Sequence, residues 1–241
     1  MVSRGRISDQ EAFVLHTYPY RETSLIVELF TKFHGKVGVV AKGARRQTSL
    51  MRNALQSFQP LYVSWGGRSE LKTLYEVEWR FGMVPLKGTA LMSGFYINEL
   101  VMKLMLREDP HESLFDVYEE LINELSSNDQ DIEKLLRRFE KTLLAELGYG
   151  LTLTHEINSG VKVERDKVYS YVVGKGPVLI NGREKVDIKI AGKTLLDMSI
   201  DDLNDPQTLS QSKLLMRSLL GFYLGNKSLH TRKMLLDLQA T

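Results

Sequence analysis

The chain contains no cysteine in its 241 residues. That excludes disulfides, thiolate metal sites and cysteine nucleophiles, and it fits a reducing compartment. No apolar run approaches the ~20 residues that a membrane-spanning helix requires. The first residues, Met1 to Glu11, lack the apolar core of a signal peptide. A cytoplasmic protein with no membrane partner is expected. Two further absences concern charge. From Leu29 to Ser69 there is no Asp or Glu, whereas Lys32, Lys36, Lys42, Arg45, Arg46, Arg52 and Arg68 give the stretch a charge of +7. From Glu108 to Glu133 there is no Lys or Arg, against ten acids. The near-neutral total of +2 therefore hides a basic first part and an acidic remainder. Such asymmetry points to an anionic partner for one part and a different role for the other.

Catalytic signatures are missing as well. Ala191-Gly192-Lys193-Thr194 ends like a phosphate-binding loop, but the motif needs a glycine five residues before Gly192, and Asp187 stands there. Gly148-Tyr149-Gly150 and Gly174-Lys175-Gly176 lack the third glycine of a dinucleotide loop, since Leu153 and Leu179 occupy that place. His16, His34, His111, His155 and His230 show no metal-ligand spacing. There is no G-x-S-x-G elbow. Glu119-Glu120 lies in the acidic stretch, where nothing raises a carboxyl pKa for acid–base work. A non-enzymatic protein without cofactor or metal is expected.

What is present begins with β signals. Phe13–Tyr18 is a short run stopped by Pro19, after a loose arm from Met1 to Asp9. Thr23–Thr31 and Lys36–Ala41 read as a hairpin, and Pro60–Trp65 with Glu70–Trp79 as a second one across Gly66-Gly67-Arg68-Ser69. Leu61, Val63 and Trp65, and Leu71, Thr73, Tyr75 and Val77, alternate with their neighbours, as half-buried strands do. Lys42–Gln56 is a Gly-hinged basic loop with one helical turn around Leu50–Leu55. Five short strands over about 70 residues are the count of an OB-fold barrel. Phe30, Phe33, Phe58, Tyr62, Trp65 and Tyr75 lie in or beside the acid-free stretch. Positive charge interleaved with aromatics suits a single-stranded nucleic acid: charge neutralises the backbone and rings stack on bases.

After Gly82–Gly88 the period becomes helical. Thr89–Leu106 is apolar nearly all round, the mark of a central buried helix. Asp109-Pro110 reads as an N-cap and first helical residue, opening a helix to about Leu125. Its acidic face would repel nucleic acid. Asp131–Leu147 is amphipathic through Ile132, Leu135, Leu136, Phe139, Leu143 and Leu144, and Gly148 ends it. Leu151–Asp201 reads as a small β insert. Asp205-Pro206 opens another helix closed by Gly225, and Ser228 caps a last one to about Gln239. The expected class is α+β: residues 1–82 form a five-stranded OB-fold barrel, packed on a helical domain, 83–241, with a β insert at 151–201.

Six ordered blocks carry a resemblance: AFVLH from Ala12, ETSLIVELFT from Glu22, GKVGVVAKGARR from Gly35, ALQSFQPLYVSWGGRSELKTL from Ala54, SGFYINELV from Ser93 and RRFEKTLLAELGYG from Arg137. Together they resemble the RecO family of bacterial DNA repair proteins, from about Ala12 to Leu238 and least in the insert. The resemblance implies an OB-fold, a helical domain and a zinc-finger-like insert. It implies a recombination mediator of the RecF pathway, associated with the nucleoid, that binds and anneals single-stranded DNA. Such a protein acts with RecR to load RecA onto DNA coated by single-stranded DNA-binding protein (SSB), and binds the acidic SSB tail. Double-stranded DNA is a further partner, and a monomer is expected. Many members hold zinc with four insert cysteines; this chain has none, so its insert is expected to be metal-free and held by apolar residues. The expected DNA contacts are Lys36, Lys42, Arg45, Arg46, Arg52, Arg68 and Lys72. The expected SSB-tail site is Arg137 and Arg138 beside Leu135, Leu136 and Phe139. A protein-only scaffold, whose barrel binds a partner protein, stays open at this point.

Overall fold

The computed structural model of the chain describes residues 5–80, 82–127, 131–180, 188–225 and 227–231. It divides into two compact units: residues 1–130 with 229–241, and residues 131–228.

The first unit is built on a closed barrel. Its strands are β1 (Arg6–Tyr20), β2 (Ser24–Thr31), β3 (Gly35–Ala41), β4 (Leu61–Gly66) and β5 (Lys72–Trp79), ordered β1-β2-β3-β5-β4. Only β3 and β5 pair in parallel. That is the OB-type closure expected for five short strands. The alternation in Ser24–Thr31 explains the layering: Leu25, Val27 and Leu29 turn inward to Val37, Val39, Leu61, Val63 and Trp65, leaving Ile26, Glu28 and Phe30 on the outer face.

Strand β1 is longer than the sequence suggests. Arg6 and Ile7 pair with Gly66 and Trp65, so the arm expected up to Asp9 belongs in part to the barrel. RISDQE has no apolar alternation, and its partner lies some sixty residues away; only closure of the barrel makes it a strand. The ladder is irregular between Ile7 and Gln10, where Asp9 has φ 53°. Pro19 lies within β1 opposite Leu25. Beyond Ala12, β1 no longer pairs with β4, so Pro19 occupies an open edge, where proline is tolerated.

Helix α1 (Leu50–Ala54) lies in the β3–β4 connection. Helices α2 (Gly88–Leu104) and α3 (Glu112–Ser126) pack on the barrel's outside. The phenyl ring of Phe13 lies 5.6 Å from Phe115 and 5.0 Å from Tyr118, and that of Phe30 lies 5.3 and 5.6 Å from the same two rings. Asn98 on α2 donates to the Leu15 carbonyl at 2.9 Å and accepts from the Tyr118 hydroxyl at 2.6 Å, joining α2, α3 and β1 through one buried amide. The helix expected from Asp109-Pro110 starts two residues later, at Glu112, with His111 at the cap position. Asp109 instead backs onto Gly35 at the start of β3: its carbonyl would lie 2.0 Å from any Cβ there, and Gly35 has φ 62°.

The second unit holds α4 (Ile132–Glu146), β6 (Val168–Val172), β7 (Gly176–Leu179), β8 (Lys189–Ala191), α5 (Gly192–Ser199) and α6 (Pro206–Leu224). Asp205 caps α6 by accepting from the Thr208 amide, with Pro206 at the first position, as its sequence signature requires. Gly148, at φ 81°, ends α4. The insert forms the sheet β7-β6-β8, but it also contains α5, which its Val- and Gly-rich composition conceals. The expected last helix is described only at His230 and Thr231; its remainder lies outside the described residues.

The described residues of the insert offer no zinc site. There is no cysteine, and among the described residues no group of three His, Cys, Asp or Glu stands together. Its centre is Tyr169, fully buried with Leu153, Val163 and Ile190, its hydroxyl accepting from the Glu164 amide at 2.9 Å. Lys193, in the phosphate-loop-like tetrapeptide, is engaged by Asp197 at 2.5 Å and Asp205 at 3.2 Å, while the Thr194 hydroxyl donates to Gln211.

Candidate nucleic-acid interface

An OB barrel ordinarily presents the β2–β3 face and the β1–β2 and β4–β5 loops to oligonucleotides. Here the face is divided. Its half nearer the β2–β3 turn is closed by α2, α3 and their connection. Phe13 and Phe30 lie under Phe115 and Tyr118. Arg107 crosses β3 to pair with the buried Glu28 at 2.5 Å. Gly38 makes room for that guanidinium, which would stand 2.2 Å from a Cβ at this position.

The closure decides the fate of the expected cations. Lys36 is only 7% exposed, and its ammonium donates to the Met102 and Met105 carbonyls at 2.5 and 2.7 Å. It caps the C-terminal end of α2, where helix carbonyls lack internal donors. The expectation of a DNA contact at Lys36 is thereby corrected. Lys72 is largely covered and pairs with Glu108 at 2.7 Å. Lys32 pairs with Asp116 at 2.7 Å, and that hydrogen bond holds its ammonium above the ordinary lysine range.

The other end of the barrel is different. Leu25 stands opposite Ala41, so the β1–β2 turn and the exit of β3 meet there. Lys42, Arg45 and Arg46 emerge from that exit, all exposed. The Arg45 amide donates to the Thr23 carbonyl at 2.8 Å, and its guanidinium donates to the Arg21 carbonyl at 3.2 Å. The basic loop is thus tied to the turn that carries Arg21, an exposed cation missing from the sequence-derived set. Its signal is modest: a lone arginine beside Glu22, outside the acid-free stretch. None of Arg21, Lys42, Arg45 and Arg46 enters an ion pair among the described residues. Arg52 and Arg68 are exposed too, but on separate elements. Arg52 lies on α1, whose Ala54 carbonyl accepts from the Trp79 indole at the end of β5. Arg68 lies in the β4–β5 turn, which leads into β5 where Lys72 stands beside Val39.

The six aromatics divide in the same way. Phe30, Phe58 and Trp65 are core residues, whereas Phe33, Tyr62 and Tyr75 are exposed. Arginines already cover two of these: Arg6 lies over Tyr75 and Arg80 over Tyr62, each 5.5 Å from the ring centre.

In the second unit, α4 presents Arg138 outward, with no ion pair among the described residues. Its neighbour Arg137 is drawn in, 10% exposed, to the fully buried Glu140 at 2.7 Å. Leu135 and Phe139 are core residues, 4% and 1% exposed, rather than the wall of an open pocket.

Comparison with known proteins covers almost the whole chain. The family described as "Recombination protein O N terminal" matches residues 6–82, and "Recombination protein O C terminal" matches residues 86–233. A relative from Nitrosospira multiformis named DNA repair protein RecO is 51% identical over 239 residues, 99% of this chain and 98% of its own length. Relatives of the same name from Aromatoleum aromaticum and Thiobacillus denitrificans are 47% and 42% identical, covering 99% and 95% of their own lengths and 99% of this chain.

Proposed function

The chain belongs to the recombination protein O family of DNA repair proteins, and from that premise we propose that it binds and anneals single-stranded DNA through one end of its barrel. One observation carries this reading. Arg21, Lys42, Arg45 and Arg46 are exposed and unpaired among the described residues, and a shared loop contact holds them together. Two complementary strands repel each other; a cationic surface that neutralises several phosphates lets them approach. Annealing then needs no bond-making group.

In this reading the protein is a mediator that, with RecR, assists RecA loading onto SSB-coated DNA in the nucleoid. Arg138 on the second unit meets the acidic SSB tail. Arg52 and Arg68 extend the DNA path, and Lys72 joins it only by giving up Glu108.

The test is binding of a labelled oligothymidylate across a salt series, for the wild type and for Arg45→Ala/Arg46→Ala. Each phosphate engaged on a single strand contributes about −0.7 to the slope of log affinity against log salt. Four contacts give about −3, and the double variant should flatten it by about 1.4. A flat response in the wild type would assign the cationic end to a protein partner and overturn the reading.

A further inference from the structure

The half of the β1–β2–β3 face nearer the β1–β2 turn is not closed by α2 and α3. There β1 presents His16, Tyr18 and Tyr20 at alternate positions, so all three point to one side. Tyr18 stands opposite Ile26 and Tyr20 opposite Ser24, while Ile26 in turn faces Val40. Tyr18 is 43% exposed, and Ile26 and Val40 are half-buried beside it. The result is an aromatic ridge on an apolar floor. His16 stands opposite Glu28 in the β1–β2 ladder, so Tyr18, two residues on, lies on the same face as the Glu28–Arg107 pair.

We propose that Tyr18 and Tyr20 form a stacking platform for successive bases of a single-stranded nucleic acid whose phosphates follow Arg21, Arg45 and Arg46. The His16 ring stands edge-on to Tyr18, 4.4 Å away at 66°, and props it upright. The Arg21 guanidinium lies 5.1 Å from the centre of the half-buried Tyr20 ring and covers one of its faces, so a base stacks on the other. Along a strand, alternate residues are separated by about 6.8 Å, twice the rise per residue. That is about double the 3.4 Å step of stacked bases, so each ring takes its own base.

Charge selects a polyanion as occupant. Between Tyr18 and Arg46 the only acids are Glu22 and Glu28, and Arg107 neutralises Glu28. A single strand suits the platform because the base faces of a duplex are already stacked. Arg107 and α3 close the other side, which limits the platform to a few nucleotides. Ring stacking reads no base identity, so little sequence preference is expected.

This inference rests on the barrel-end reading above, and its test separates the two. Affinity for an oligothymidylate and for an abasic backbone of equal length is measured with wild type, Tyr18→Ala, Tyr20→Ala, Tyr18→Phe and Arg45→Ala/Arg46→Ala. The wild type should prefer the base-bearing strand about tenfold or more. Each Tyr→Ala variant should lose about tenfold on oligothymidylate and little on the abasic strand, with the salt slope unchanged. Tyr18→Phe should bind as the wild type does. Equal wild-type affinity for the two strands would overturn the platform without recourse to any variant. So would wild-type affinity in both Tyr→Ala proteins, which would leave the ridge to a protein partner. If the arginine variant alone loses affinity, the cationic barrel end stands and the platform falls; if no variant loses affinity, both fall.

Discussion

Lys36→Met keeps an unbranched apolar stem at residue 36 and removes only the ammonium. In the folded chain that ammonium donates to the Met102 and Met105 carbonyls at 2.5 and 2.7 Å. Both lie at the C-terminal end of α2, where the helix dipole gathers negative charge. A hydrogen bond to a charged group contributes about 1.5–3 kcal/mol. Two of them, less what is recovered by no longer burying the ammonium, leave a net destabilisation of about 2–3 kcal/mol. With a urea dependence of about 2 kcal/mol/M, the unfolding midpoint should fall by about 1–1.5 M. Tryptophan fluorescence is a suitable probe, because both tryptophans, Trp65 and Trp79, belong to the barrel. The salt dependence of DNA binding by Lys36→Met should equal that of the wild type under conditions where both are folded. An unchanged midpoint together with a salt slope shallower by about 0.7 would refute the reasoning, since it would make Lys36 a phosphate contact.

Two other polar contacts yield predictions in the same unit. Asn98→Leu removes the donor to the Leu15 carbonyl and the acceptor of the Tyr118 hydroxyl, and should lower stability by about 2–4 kcal/mol by urea titration. Adding Tyr118→Phe should restore part of that loss by removing the hydroxyl. Glu99 holds the start of the C-terminal segment, accepting from the His230 and Thr231 amides and the Thr231 hydroxyl. Burial alone would raise its pKa, but Lys103 and those donors outweigh burial and hold the carboxyl at about 2. The stability it confers is therefore complete above the ordinary carboxylate pKa and lost as pH falls from about 4.5 towards 2. Glu99→Gln should flatten that part of the stability profile and cost about 2 kcal/mol at neutral pH, read from urea midpoints at pH 7, 4 and 3.

Local chemistry made much of the fold legible. Alternation marked the inward row of β4, whereas in β5 the shifted register buries Leu74 and exposes Tyr75 of the row read from the sequence. Asp205-Pro206 marked the start of α6, and Gly148 the end of α4. The failures share a cause. Arg6–Asp9 becomes strand only because Gly66 and Trp65 close the barrel on it. Asp109-Pro110 carries a helix-start signal, but Asp109 is committed to packing on Gly35. Helix α5 begins at Gly192, which must be glycine because the Glu164 carbonyl would lie 1.9 Å from a Cβ there. In each case a partner distant in sequence decides, and no local pattern records it.

The candidate site shows the same limit in terms of charge. Read as sequence, the acid-free stretch and the acid-rich stretch suggested separate partners for separate parts. In the fold the acid-rich stretch instead meets cations at the two borders of the acid-free one. Lys32 meets Asp116, Lys72 meets Glu108, and Arg80 meets Glu119. Lys36 is taken by the Met102 and Met105 carbonyls at the end of α2. The acids neutralise the cations on the half of the barrel that the helices cover. The cations beyond the cover, Arg21, Lys42, Arg45 and Arg46, keep their charge for solvent or a ligand. Net charge along the chain therefore located the basic barrel but could not separate its structural cations from its available ones. That separation depends on where α3 lies. It follows that neutralising Asp116, as Asp116→Asn, should release Lys32 without adding to the cationic end, because the two lie at opposite ends of β2.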